Sequence, residues 1–208
     1  MNNKRFWLTA RILAVLVLAA GTAALAEAPR PDHFSGSISD YTPLISNLSP
    51  TGPWEMRGHW TLQLKGKSDK ADFSAYMTME LSDSGVAAAG ASLADPTNRH
   101  AHTHHIVMTD ATVSSEAPET STCPALSPAN TALFVVTGPA NFISGNGNAA
   151  PFEKLGPTTL QVCISGGTDG TSEVQYSNIT LVMSGPAADK HFGPQPIHGV
   201  VRFADNSK

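Results

Sequence analysis

Residues 56–65, MRGHWTLQLK, alternate apolar and polar side chains along their whole length. Residues 71–81, ADFSAYMTMEL, repeat this period after a polar turn at 67–70. A period of two is typical of a β-strand with one buried face, and two such runs around a short turn indicate an antiparallel hairpin. The hairpin therefore places the domain in a β class.

Further strands are predicted on the C-terminal side of the hairpin, at 104–113, 132–137, 159–165, 174–183 and 197–203. The alternation slips near Ser177 and Asn178, which predicts a β-bulge. No convincing amphipathic helix follows residue 26. We expect an all-β domain over residues 54–208, either a single antiparallel sandwich or a short barrel of about seven strands. Residues 27–53, rich in Pro, Ser and Asp, are predicted to be an extended lead-in.

The N-terminus has the features of a secretory signal peptide. Lys4, Arg5 and Arg11 precede or flank the apolar run 12–20, and Ala24-Leu25-Ala26 supplies a small-x-small cleavage pattern. The apolar stretch 12–26 is shorter than the roughly 20 residues that span a bilayer. We predict that residues 1–26 are removed, that no membrane span remains, and that the mature protein is periplasmic or secreted.

Export changes how the charge and the cysteines are interpreted. Loss of the three basic signal residues lowers the formal net charge from −4 to −7, and an acidic surface argues against nucleic acid as a partner. Cys123 and Cys163 both lie in the mature chain. An even cysteine count in an oxidising compartment predicts one disulfide between them.

A histidine cluster is the strongest functional signal. His100, His102, His104 and His105 fall within six residues, and neutral imidazole is a good ligand for Zn²⁺ or Cu²⁺. On a strand, residues two apart lie about 7 Å apart and can share a metal, whereas residues four apart lie about 13 Å apart and cannot. A complete site therefore needs ligands from elsewhere in the chain.

The C-terminal segment contains the best additional candidate. There a proline-rich turn leads into a strand that carries His198 and Arg202 on one face. We predict a zinc or copper site formed by His102, His104 and His198. The other candidate ligands are His100, His105, His191 and His59. Met77 and Met79 are also possible soft copper ligands, but their apolar alternation favours a place in the core.

Several stretches resemble a family of uncharacterised exported bacterial proteins. They are GPWEM at 52–56 and its continuation to 64, ADFSA at 71–75, HTHHI at 102–106, GNGN at 145–148, and HFGPQPIHGVVR at 191–202. The resemblance covers most of the mature chain. It implies a shared β fold and no particular activity.

These observations leave three functional hypotheses. The leading one is an exported binding module with a histidine-based transition-metal site. The second is a hydrolase or small-molecule cyclase with a histidine-lined pocket, although no GxSxG, HExxH, P-loop or GxGxxG motif is present and no catalytic residue can be named. The third is a structural envelope protein whose histidines are incidental.

Overall fold

The computed structural model describes residues 30–42, 52–66, 68–114, 131–146, 150–154, 158–168, 174–192 and 195–205. The chain divides into two compact units, Met1–Arg30 and Pro31–Lys208. The predicted signal peptide, residues 1–26, lies outside the described residues. No helix in the described part is long and apolar enough to cross a membrane.

The second unit is built almost entirely from β-strands. The strands are β1 (His33–Thr42), β2 (Trp54–Leu64), β3 (Lys70–Leu81), β4 (His102–Ser114), β5 (Thr131–Asn146), β6 (Ala150–Lys154), β7 (Thr158–Thr168), β8 (Val174–Ser184) and β9 (Ile197–Asp205). Each neighbouring pair is antiparallel. The all-β antiparallel fold predicted from the sequence is confirmed.

Eight of these strands close into a barrel. Their order is β4-β3-β2-β1-β9-β8-β7-β5, and β5 pairs with β4 to complete the ring. β6 pairs with β5 and lies outside this ring. Of the two predicted architectures, the barrel is therefore the correct one.

The interior of the barrel is filled by alternate side chains of its strands. In β2 and β3 these are the apolar positions of the alternating runs 56–65 and 71–81. The largest fully buried side chains are those of Trp60, Phe34, Phe73, Phe134 and Phe192. An eight-stranded barrel has an interior just wide enough for side chains to fill, which accounts for a core this rich in aromatic residues.

Two of the strands, β1 and β6, were not predicted from the sequence. β1 lies within the segment predicted as an extended lead-in, and it enters the barrel by burying Phe34 and Ile38 between serines and a glycine. β6 lies in a segment predicted as a loop.

The predicted β-bulge near Ser177 and Asn178 is confirmed. In the β7–β8 pair, Ser165 is opposite Asn178 and Gly166 is opposite Tyr176, so Ser177 is the extra residue of a bulge.

Two short helices follow strands that end at the same end of the barrel. α1 (Asp83–Ala88) follows β3 and α2 (Pro186–Phe192) follows β8. We call this the helical end, and β2, β4 and β9 begin there. Val86 of α1 and Phe192 of α2 are buried in the core cluster. Ser82 caps α1, since its Oγ accepts a hydrogen bond from the backbone N–H of Gly85.

Candidate metal centre

The histidines of β4 separate onto the two faces of the strand. His102 and His104 are 8% and 0% exposed and belong to the same inward-facing series as Ile106. His105 has the opposite parity, and its Nε2 lies 3.1 Å from the Ser74 hydroxyl. The HxH spacing predicted from the sequence therefore delivers two imidazoles to the barrel interior near the helical end.

Hydrogen bonding fixes the tautomer of His102. Its Nδ1–H donates to the carbonyl oxygen of His100 at 2.9 Å, because a carbonyl can only accept. Burial lowers the pKa of the His102 imidazole, since the interior disfavours its charged form, and the hydrogen bond to His100 opposes this shift more weakly. His102 is therefore neutral at neutral pH, with its proton on Nδ1 and its lone pair on Nε2.

Aromatic rings enclose the two imidazoles. The His102 and His104 ring centroids are 4.7 Å apart, with the rings nearly perpendicular. Trp54, the first residue of β2, packs edge-on against His102 at 5.5 Å. Phe192, the last residue of α2, packs against His104 at 5.1 Å. The helical end thus holds the imidazoles between β2 on one side and α2 on the other.

The neighbouring strand places methionines directly opposite these histidines. In the β3–β4 register Met77 pairs with His104 and Met79 pairs with His102. In the β2–β3 register Met79 pairs with Met56. All three methionines are 0–1% exposed. The prediction that Met77 and Met79 lie in the core is confirmed. Their position beside the histidines was not predicted from the sequence.

His198 lies elsewhere in the barrel. β9 is four strands from β4 in either direction around the eight-membered ring, which puts it on the opposite wall. His198 also has the opposite parity to the buried Ile197. Its backbone N–H and Nδ1 lie 2.7 and 2.9 Å from Oδ2 of Asp40.

The structure therefore does not bring His198 together with His102 and His104, with which it was predicted to form a site. The reason is that strand order and side-chain parity separate His198 from the other two. Within the described residues, no group of three or more His, Cys, Asp or Glu side chains is arranged to hold a metal ion.

Two of the remaining candidate histidines, His59 and His100, do not join the buried pair. His59 is exposed on β2, where its ring lies 5.7 Å from that of Tyr76. His100 is exposed and ends the 3₁₀ helix Pro96–Arg99 in a left-handed conformation, with φ of 49°. His191 lies in α2, but its side chain is outside the described part of the chain.

Only one of the two cysteines of the predicted disulfide lies within the described residues. Cys163 is buried on β7, with 1% exposure. No free cysteine is found in the described part of the chain. Cys123 lies outside the described residues, so its pairing with Cys163 stays a prediction.

Comparisons with known proteins add no functional assignment to this geometry. No protein-family model, no curated protein and no solved structure matches the chain.

Proposed function

We propose that this chain is an exported binding module that holds a transition-metal ion inside the helical end of its barrel, with His102 and His104 as imidazole ligands. The observation that carries the proposal is the pair of buried imidazoles, 4.7 Å apart, on the inward face of one strand. Imidazole suits zinc, copper, iron and nickel.

The surroundings of His102 support ligation through its Nε2 atom. Metal-binding histidines almost always donate their other ring N–H to a carboxylate, a backbone carbonyl or water, which fixes the ring orientation and tautomer. The His100 carbonyl provides this partner to Nδ1 of His102. The ring is thus oriented before any metal arrives.

The polarity of the two positions also supports a role beyond packing. Further along the inward face of β4 the side chains are those of Ile106, Met108 and Ala111. Burying an imidazole in place of an aliphatic side chain costs free energy unless its nitrogens find partners. The imidazoles at two successive inward positions therefore make this part of β4 polar within an otherwise apolar series.

One observation favours a second candidate, a structural envelope protein with incidental histidines. The three histidines predicted to converge do not, because His198 is on the opposite wall. In that case His102 and His104 are ordinary core residues packed against Trp54 and Phe192. The two candidates differ in one measurable property, which is metal retention.

The test uses mature protein without a polyhistidine tag, stripped with chelator and then loaded with Zn²⁺ or copper. We expect about one tightly held ion per chain in the wild type. His102→Gln and His104→Gln should lose it, whereas His105→Gln should keep it, since His105 is adjacent in sequence but on the outer face. Thermal melts establish that each variant is folded.

Two results would contradict the proposal. The first is a wild type that binds no stoichiometric metal at micromolar concentrations, which supports the structural candidate. The second is equal metal loss in His104→Gln and His105→Gln, which would place the ions on the outer surface.

A further inference from the structure

The geometry points to cuprous ion, Cu(I), as the metal of this site, with Met77 and Met79 supplying thioether ligands beside His102 and His104; this inference rests on the proposed metal-binding function. The four side chains come from adjacent strands and share one face. All four are buried, with exposures of 0–8%.

The register of the β3–β4 pair places the four proposed ligand side chains next to one another. Met77 is directly opposite His104, and Met79 is directly opposite His102. Directly opposite residues of an antiparallel pair have Cβ atoms about 4.5–5.5 Å apart. A methionine sulfur lies beyond its Cβ on a flexible, unbranched side chain, so it can approach an ion held by the facing imidazole.

Ligand chemistry favours copper in its lower oxidation state. Thioethers are soft ligands that select Cu(I), whereas zinc sites in proteins are built from thiolates, imidazoles and carboxylates. Neither Met77 nor Met79 supplies a negative charge. Met56, which pairs with Met79, adds a third thioether to the same row.

Charge favours the same ion. The desolvation cost of burying an ion rises steeply with its charge, so a site made of neutral donors is better suited to a monovalent cation than to a divalent one. Asp40 is the residue opposite Met56 in the β1–β2 register, but its Oδ2 is engaged by the backbone N–H and Nδ1 of His198. The four side chains proposed as ligands, those of His102, His104, Met77 and Met79, are themselves uncharged donors.

The test compares Cu(I) and Zn²⁺ affinities of tag-free mature protein by anaerobic competition against chromophoric chelators. Met77→Leu and Met79→Leu remove the thioethers with little change in volume, which cores tolerate well. The matched control is Met108→Leu, because Met108 is equally buried and inward-facing on β4 but pairs with Phe73. Copper X-ray absorption of the wild type reports sulfur ligation without any substitution.

We expect Met77→Leu and Met79→Leu each to weaken Cu(I) binding at least about tenfold, which is about 1.4 kcal/mol. Met108→Leu should bind Cu(I) as the wild type does, and the absorption spectrum should contain a copper–sulfur shell. Zinc affinity should be weaker than Cu(I) affinity and insensitive to all three substitutions.

The outcomes separate this inference from the proposed function. Histidine-dependent binding of Zn²⁺ with no preference for Cu(I), or Cu(I) binding without sulfur ligation, overturns the inference and leaves the metal site standing. Binding of neither ion overturns both.

Discussion

Gly58 provides the sharpest test of how closely β2 and β3 approach each other beside the candidate site. A Cβ atom added at Gly58 would lie 2.1 Å from the carbonyl oxygen of Tyr76 and 2.7 Å from Cα of Met77. Both are backbone atoms, so no rotamer change can relieve the overlap. Gly58→Ala must instead move β3 away from β2, and Met77 moves with it.

The loss of folding stability in Gly58→Ala can be estimated from these distances. Ordinary contact begins at 3.4 Å, so the Tyr76 oxygen must move by the difference, 3.4 − 2.1 = 1.3 Å. Overpacking of a well-packed interior costs about 1–3 kcal/mol, and a backbone overlap belongs at the upper end. Alanine also stabilises the protein by about 0.4–1 kcal/mol, because it reduces the conformational entropy of the unfolded chain. We expect a net loss of about 2 kcal/mol, which lowers Tm by about 4–8 °C in a domain of this size.

The assay is thermal unfolding of metal-free protein followed by circular dichroism. Thr61→Ala is the matched control, because Thr61 is exposed on the outer face of the same strand, where substitutions usually change stability by no more than about 0.5 kcal/mol. A Gly58→Ala protein that melts within about 1 °C of the wild type would refute the close approach of the two strands.

Two further predictions concern the helical end and the opposite wall. Ser82→Ala removes the Oγ that accepts from the Gly85 N–H at 3.1 Å and donates to the Pro53 carbonyl at 2.9 Å, so thermal melts should show a loss of about 1 kcal/mol. An unchanged Tm would mean that the cap does not stabilise α1. His198→Gln should leave metal stoichiometry unchanged, because β9 faces β4 across the barrel. Loss of metal in that variant would restore the three-histidine site predicted from the sequence.

Much of the fold could be predicted because alternation is a local property. The runs around Trp60 and Met77 revealed their buried faces without any knowledge of their neighbours, and the slip near Ser177 was found in the same way. β1 was missed because serines and Gly36 leave only Phe34 and Ile38 as widely spaced apolar markers. α1 and α2 were missed because helices of six and seven residues are too short to show a clear amphipathic period.

The candidate site could be predicted only in part, for the same reason. The HxH spacing was sufficient to place His102 and His104 on one face of one strand. The methionines of β3 were visible too, but their relation to the histidines depends on a register in which Met77 meets His104 and Met79 meets His102. His198 was predicted to join them only because its residue type and its strand suited a metal site.

The sequence by itself therefore determined which side chains of each strand share a face, since successive residues of an extended chain point in opposite directions. Only the tertiary structure decided which faces meet. Strand order is set by pairings between distant parts of the chain, which alternation does not encode. Closure of the ring through β4 and β5 set His198 across the barrel from the buried imidazoles, and pairing of β3 with β4 set the thioethers beside them.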